Sequence, residues 1–443
     1  MRRPTFNSWD PVLLWGTGLS LLSLPVWAAT PSLWPVLVGG SLATTLALVV
    51  LRGREPLTTR QVLWGAVVLR LAFLPLLPGL TDDLYRYIWD GLLQGEGINP
   101  YRYAPNHEAL AEYQSAVIYD RLNSASYYSV YPPLSQLAFA VGGWAHDSGW
   151  TVSYYVLKGM FVGAELGGVW VLSRLTSART LLLYAWNPLV LIETAGQGHV
   201  ETLLVPCLLG LVWAVRHGRG RLASVAVAAA GLVKLYPFVL WPFLLRRYGW
   251  TAVWPGGLLA IAVSLPYAAP YTLPHIKASV DLFAHLFEFN AGPYYFFKHV
   301  AWLATGTDWS KVVGPTFRYV FLALLPGLYL LDARRDWSMR RAAFLTVGLF
   351  LVLSSTVHPW YIVPLLALGV VGPHPPWAWL WIGAFSIGTY LFYIGGSYWT
   401  WIALGWGGGA IIGGWAYASV IRQWGTAWAR RARCFHYSDA IDS

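Results

Sequence analysis

Apolar stretches alternate with short polar connections along almost the whole chain. A helix that spans a membrane needs roughly 20 mostly apolar residues. Stretches close to or above that length are 11–29, 33–51, 61–80, 153–173, 251–268, 313–332, 376–394 and 399–421. Shorter apolar stretches are 181–196, 201–216, 222–233, 236–246, 342–356 and 360–372. The pattern predicts an all-α polytopic membrane protein with about 12–14 transmembrane helices, several of half length and supported by neighbouring helices.

The composition agrees with this fold class and excludes others. Of the 443 residues, 56% are hydrophobic and 11% are charged, whereas a soluble domain carries about 25% charged residues. A soluble protein of this size would lack the charge to cover its surface, and a disordered chain would be less hydrophobic. The 27 Trp and 26 Tyr suit a protein with many membrane–water interfaces. The two cysteines, Cys207 and Cys434, form neither a disulfide framework nor a zinc motif.

The arginines predict the orientation of the helices. They cluster in short connections and tails at 52–60, 174–179, 216–221, 246–247, 334–341 and 422–433. By the positive-inside rule these clusters are cytoplasmic, provided that 134–147 is a juxtamembrane helix that does not cross. Two long loops, 81–152 and 269–312, then face outward. Because the basic residues are dispersed over many loops, nucleic acid is not an expected partner.

Acidic residues directly follow the apolar stretch 61–80. If this segment is helical, Asp83, Tyr87 and Asp90 share one face, and Asp82 lies beside Arg86. Neighbouring carboxylates at a membrane boundary suit a general base, since burial and mutual repulsion raise a pKa toward neutrality. They also suit a hard divalent cation. The alternative is an ordinary helix start, where acidic residues favour the helix dipole.

A second polar segment lies between two of the shorter apolar stretches. It contains Glu193, Gln197, His199 and Glu201. These side chains suit binding of sugar hydroxyls, whereas a zinc site is weakly supported because no further His or Cys is near in sequence. The alternative is an outer turn with capping residues.

Charged residues also occur within or between apolar stretches further along the chain. Lys234 has apolar residues on both sides, so it needs an anionic partner unless it reaches the interface. His358 precedes Pro359 at an outer turn and suits contact with a phosphate. Arg70 and Glu165 are expected to form a structural pair. The predicted topology puts the acidic cluster, the 193–201 segment, Lys234 and His358 on one side of the membrane, as a single site requires.

Taken in order, these motifs resemble the membrane glycosyltransferases with the C-type fold, which take a sugar from a polyprenyl-phosphate carrier. The likeness is closest to bacterial hexosyltransferases, mostly mannosyltransferases, and covers about 61–372. The motifs are Asp82-Asp83, Tyr85-Arg86-Tyr87, Trp89-Asp90-Gly91, Gly97-Ile98-Asn99-Pro100-Tyr101, Tyr131-Pro132-Pro133-Leu134, Asn187-Pro188-Leu189, Gly198-His199-Val200-Glu201, Lys234-Leu235-Tyr236-Pro237 and His358-Pro359-Trp360-Tyr361.

The resemblance implies roles for these residues. An Asp in the first outer loop is the base that deprotonates an acceptor hydroxyl, and the anomeric configuration is inverted. Asp82 and Asp83 both match, and spacing favours Asp83. Lys234, Arg86 and His358 are the expected contacts of the donor phosphate. The residues expected to bind the sugar or the acceptor are Gln197, His199, Glu201, Tyr87 and Asp90. No metal or other cofactor is obligatory, although a divalent cation is compatible with the acids.

The resemblance also divides the chain. Residues 1–60 are two additional transmembrane helices, of which the first looks like a signal peptide but is expected to remain uncleaved. Residues 61–372 are the glycosyltransferase module, 373–421 are C-terminal transmembrane helices, and 422–443 form a basic cytoplasmic tail. The expected location is the plasma or inner membrane, with the site facing the periplasm or the outside.

The resemblance also names the partners. They are a polyprenyl-phosphate-linked sugar, most readily mannose, a lipid or glycan acceptor, and membrane lipids. Two alternative functions are a transporter and a membrane scaffold. A transporter of a lipid-linked or anionic substrate should show an internal repeat and a polar path to the cytoplasmic side, and neither is visible. A membrane scaffold gives no reason for the buried charges.

Overall fold

The computed structural model describes residues 57–416, except 116 and 373–375. The predicted helices 11–29 and 33–51 and the tail 422–443 lie outside the described residues. Within the described part the protein is helical, and its only β-type pairing is an isolated bridge between Phe289 and Thr356. The prediction of an all-α polytopic membrane protein is confirmed.

The helices are mostly short. They are α1 Thr59–Phe73, α2 Asp83–Gly95, α3 Pro133–Gly143, α4 Trp150–Ser173, α5 Ala178–Ala185, α6 Pro188–Leu191, α7 Leu204–Arg216, α8 Gly220–Val233, α9 Trp241–Tyr248, α10 Trp250–Ser264, α11 Thr272–Leu286, α12 Gly292–Thr305, α13 Ser310–Arg335, α14 Met339–Val352, α15 Pro359–Val370 and α16 Trp377–Ser386. Residues 399–416 form a further helix.

Few of these helices cross a membrane unbroken. Among the described residues, only α4 and α13 are single helices long and apolar enough to do so. Two bent pairs also qualify: Pro188–Gly196 with Val200–Arg216, bent by 107°, and Trp250–Tyr267 with Thr272–Leu282, bent by 99°. Half-length helices were therefore predicted correctly, whereas the count of about 12–14 spans stays a prediction.

The helix predicted over 61–80 ends earlier than expected. It stops at Phe73 because Pro75 and Pro78 follow, and a proline disfavours helical geometry in the residue before it and cannot donate a backbone hydrogen bond. The Lys158 side chain of α4 binds two carbonyl oxygens at this end, those of Phe73 at 3.2 Å and Leu76 at 2.6 Å. Residues 74–82 thus form a non-helical arm between α1 and α2.

A second interruption lies between α6 and α7. The chain continues from α6 into a π-helical turn, Ile192–Gly196, and then turns sharply before Val200. Gly198 has φ of 75°, a left-handed conformation that glycine adopts without steric cost. This break brings the polar residues of the 193–201 segment into the interior of the helix bundle, where they are buried.

Helices α2 and α3 pack closely within residues 81–152, the first loop predicted to face outward. A Cβ atom at Gly91 would lie 2.2 Å from the carbonyl oxygen of Phe139, and one at Gly143 would lie 2.0 Å from that of Gly91. Only glycine allows the two backbones to approach so far. At 11 residues, α3 reaches about 16 Å, which is too short to cross the ~30 Å hydrocarbon core. The second predicted outer loop, 269–312, contains α11 and α12.

Arg70 and Glu165 form the predicted pair in the core between α1 and α4. Arg70 Nε lies 2.7 Å from Glu165 Oε2, and both side chains are fully buried. A second Arg70 donor reaches the carbonyl oxygen of Ala185 at 2.6 Å. The pair therefore joins α1 and α4 to the end of α5.

The arginine-based topology predicts where cysteine reagents will react. In a background without Cys207 and Cys434, Ser126→Cys places a thiol at an exposed position of the first outer loop. His217→Cys places one at an exposed position beside Arg216 and Arg219. An impermeant maleimide should label only the first in intact cells whose outer barrier has been permeabilised. Labelling of His217→Cys but not of Ser126→Cys would contradict the orientation.

Candidate active site

Asp82 and Asp83 lie where the non-helical arm meets α2. Helix α2 begins at Asp83, and Asp82 is the residue before it, so the two side chains point in different directions. Asp83 is half-buried, and burial raises the pKa of its carboxyl. Nearby cations oppose this effect. Partial burial also raises the pKa of Asp82, against the positive charge of Arg121.

The charges that act most strongly on Asp83 come from distant parts of the sequence. They are those of His199 and Glu201, which follow the break after α6, and Lys234 at the end of α8. His199 and Lys234 favour the ionised carboxylate, whereas Glu201 disfavours it. The structure therefore brings together four of the residues that the sequence predicted for one site.

Lys234 is paired with a protein carboxylate. Its Nζ lies 2.8 Å from Glu201 Oε1, and it also lies 5.3 Å from the ring centres of both Tyr131 and Tyr361. A cation over aromatic faces is stabilised by the ring quadrupole, most strongly where water is excluded. The sequence predicted that Lys234 needs an anion, and Glu201 supplies one within the protein.

His199 and His358 flank the same tryptophan. The His199 ring stacks on Trp360 with centroids 3.8 Å apart, and the His358 ring stacks on Trp360 at 4.3 Å. His358 precedes α15 and also stacks on Phe289 at 4.8 Å. Both histidines are buried, so the stack brings the predicted phosphate-binding His358 next to the His199–Asp83 region.

The two ring nitrogens of His199 face polar groups on two sides of the site. Nδ1 lies 2.9 Å from Glu193 Oε2, and Nε2 lies 3.0 Å from Thr81 Oγ1. The Tyr390 hydroxyl donates to Glu193 at 2.7 Å. Sequence reasoning missed Tyr390, which lies in the predicted C-terminal transmembrane region 373–421, and no local motif marks it.

Gln197 supports the arm that carries the aspartates. Its Oε1 accepts hydrogen bonds from the backbone N–H groups of Gly79 at 3.1 Å and Leu80 at 3.0 Å. Its Nε2 is buried and has no hydrogen-bond partner in the described part of the chain. This arrangement assigns the carbonyl of Gln197 to the arm, so that only its amide nitrogen remains for the predicted contact with sugar or acceptor.

Arg86 and Asp90 form a separate network. Arg86 Nε lies 2.8 Å from Asp90 Oδ1, and Asp90 Oδ2 accepts from Ser129 at 2.5 Å and from Gln136 at 2.8 Å. Arg86 also donates to the carbonyl oxygen of Tyr127 at 3.0 Å. Both Asp90 oxygens are occupied by protein donors. This environment favours a structural role for the pair over the predicted contacts with phosphate and sugar.

Tyr87 packs within the core of the first outer region. Its ring stacks on Phe139 at 4.5 Å and meets Tyr131 edge-on at 5.0 Å. Tyr131 also contacts Lys234, so Tyr87 packs against a residue that borders Lys234. Its complete burial does not suit the predicted direct contact with sugar.

Metal binding has no ready site in this geometry. Within the described residues, no group of three or more His, Cys, Asp or Glu side chains is arranged to hold a metal ion. The acids of the cluster are distributed instead among protein donors, with Glu201 on Lys234 and Glu193 on His199 and Tyr390.

Comparison with known families decides the class of protein. A model of the alpha-(1->6)-mannopyranosyltransferase family, N-terminal domain, matches residues 8–248. The match covers more than half of the chain and includes Asp83, His199, Glu201 and Lys234. The chain belongs to this mannosyltransferase family. The predictions of a membrane glycosyltransferase and of the mannosyltransferase type are thereby confirmed. No curated protein sequence matches the chain.

The Arg86–Asp90 network of this mannosyltransferase predicts a stability effect. Asp90→Asn removes the charge that faces Arg86, and loss of one partner of a buried ion pair costs about 3–5 kcal/mol. We expect a lower thermal unfolding temperature in detergent and faster proteolysis of the 97–128 segment. The control Asp120→Asn changes an exposed acid of the same loop and should affect neither. An Asp90→Asn protein with unchanged stability but lost activity would instead support a direct substrate contact.

Proposed function

We propose that this mannosyltransferase transfers a hexose, by family most readily mannose, from a polyprenyl-phosphate donor to a lipid or glycan acceptor at the outer face of the membrane, with inversion. The observation that carries the proposal is the gathering of Asp83, His199, Glu201 and Lys234 from three separate regions of the family-matched sequence. The family assignment favours this function over a transporter or a scaffold.

Asp83 is the proposed general base. It accepts the proton of the acceptor hydroxyl while the acceptor oxygen forms a bond to the anomeric carbon of the sugar. The bond between that carbon and the phosphate oxygen breaks, and the phosphate leaves with the electron pair. Attack from the face opposite the phosphate inverts the configuration. A base is most effective when its pKa approaches the working pH, so the raised pKa of Asp83 suits the role.

Lys234 is the proposed cation for the donor phosphate, and Glu201 holds it in place before the donor binds. The Lys234 side chain is about one-fifth exposed while it is paired. An ammonium has three N–H donors, and one carboxylate at 2.8 Å does not use all of them. The others are available for phosphate oxygens. His358, on the far side of Trp360, is the second proposed contact.

A cavity with a mostly apolar lining, which also includes Glu288, Lys298, His299 and Asp308, supports a lipid-linked donor. It has a volume of about 1420 Å³ and lies between α12, α16 and the helix over 399–416. Tyr398 lines it and contacts Phe289, which stacks on His358. The prediction that no metal is obligatory stays a prediction.

The central test is transfer by purified protein in detergent. Wild type should move radiolabelled mannose from polyprenyl-phosphate mannose to an acceptor in a membrane lipid extract. Asp83→Asn should lower turnover by about 10²–10⁴-fold, the usual contribution of a general base, with donor binding and folding retained. Asp120→Asn is the matched control in the same loop and should transfer normally. Near-normal turnover of Asp83→Asn would contradict the assignment of the base, and a dead Asp82→Asn with an active Asp83→Asn would move it to the neighbour.

The raised pKa of Asp83 also predicts the pH profile of kcat/KM. The carboxylate is the active form of a base, so a raised pKa moves the acidic limb above the value of about 3.9 expected for an ordinary aspartate. Asp82→Asn removes a negative charge that raises the pKa of Asp83, so the limb should move to lower pH. The same Asp120→Asn control should leave the limb unchanged. A limb that stays in place in Asp82→Asn, or moves to higher pH, would contradict this account.

A further inference from the structure

Tyr390 reaches the candidate site from the C-terminal part of the chain. It lies in the 3₁₀ segment Ile387–Ile394, outside the residues that match the family model. Its hydroxyl donates to both carboxylate oxygens of Glu193, at 2.7 and 2.9 Å. Tyr390, Glu193 and His199 are all buried. The Tyr390 phenol, the Glu193 carboxylate and the His199 imidazole thus form a chain of contacts. Thr81, which directly precedes Asp82, contacts the other nitrogen of the imidazole.

We propose that Tyr390 and Glu193 are positioning residues that hold His199 in the tautomer protonated on Nδ1. The catalytic consequence rests on the proposed function, whereas the tautomer itself does not. The polar contacts of the His199 ring impose this tautomer whatever reaction the protein catalyses.

The hydrogen-bonding capacity of the groups around His199 determines its tautomer. An ionised carboxylate only accepts hydrogen bonds, so the nitrogen that faces Glu193 at 2.9 Å must carry a proton. In neutral His199 this leaves Nε2 as an acceptor, and the Thr81 hydroxyl at 3.0 Å is then the donor. The second ring nitrogen of a histidine is commonly set in this way by the partner of the first.

Packing holds the ring in the same plane. His199 lies against Trp360 with the two rings inclined by only 14°, and it cannot rotate to exchange its nitrogens without losing the stack. The Tyr390 hydroxyl, which donates to both oxygens of Glu193, holds this carboxylate in place against the ring. The acceptor Nε2 fixes the direction in which the Thr81 hydroxyl donates, and Thr81 is two residues from Asp83.

The consequence for catalysis is a fixed polar neighbour for Asp83. The imidazole of His199 contacts Thr81, two residues before Asp83, through Nε2, and Glu193 faces its other nitrogen at 2.9 Å. Loss of the Tyr390 hydroxyl or of the Glu193 charge should therefore act on transfer through His199. Residues in one hydrogen-bond network show such coupling, whereas independent residues have additive effects.

A double-mutant cycle tests this coupling in the transfer assay. Tyr390→Phe should lower kcat by about 10-fold with little change in KM, within the range for groups of one network. In a His199→Ala background the same change should cost less than about 2-fold, since its target is absent. The control Tyr329→Phe removes a hydroxyl that donates to the Val239 carbonyl at 2.7 Å, away from the site, and should leave kcat unchanged. Equal losses from Tyr390→Phe in both backgrounds would overturn the proposal.

A measurement without activity separates this proposal from the proposed function. In protein labelled with ¹⁵N-histidine, the His199 signals are identified by their loss in His199→Ala. Wild type should show a protonated Nδ1, and Glu193→Gln should shift both ring-nitrogen signals, with a smaller shift in Tyr390→Phe. His199 protonated only on Nε2, or unchanged signals in Glu193→Gln, would refute the positioning role. If wild type transfers no sugar from a polyprenyl-phosphate donor, the proposed function fails, and the nitrogen signals still decide the tautomer.

Discussion

A carboxylate buried between apolar helices is stable only if it receives hydrogen bonds or an opposite charge. This constraint organises the described part of the protein. Glu165 is paired with Arg70 at the core of the bundle, and Glu201 is paired with Lys234 at the site. Glu193 accepts a hydrogen bond from Tyr390 and lies 2.9 Å from His199 Nδ1. The first pair joins the long helix α4 to the shorter α1, and the second joins the segment before α7 to the end of α8. The charges thus hold together helices from distant parts of the sequence.

The sequence predicts the parts of this arrangement that follow from local rules. Apolar stretches too short to span a membrane indicated broken helices, and the turn at Gly198 confirms one of them. A charge within a span must find a partner, which was enough to pair Arg70 with Glu165. A helix over the acidic segment was a condition of the predicted site, and an ordinary helix start was its alternative. The structure begins α2 at Asp83, which agrees with both interpretations.

Other parts depend on packing that no local pattern encodes. The prolines after α1 shorten the predicted span, but only the fold shows that Lys158 binds the freed carbonyl oxygens. Asp90 has the spacing of a site residue, yet Ser129 and Gln136, about 40 residues later, occupy its carboxylate. Tyr390 lies some 200 residues from its partner, and a tyrosine in an apolar segment carries no signal of that contact.

The anomeric configuration of the product tests the central claim most directly, because that claim is a single displacement assisted by one base. Purified protein would be given polyprenyl-phosphate mannose of known configuration, and the one-bond carbon–hydrogen coupling at the anomeric carbon of the product would be measured by NMR. The account predicts that the product has the configuration opposite to that of the donor. Retention of the donor configuration would require a covalent intermediate or a different mechanism, and would contradict the role given to Asp83.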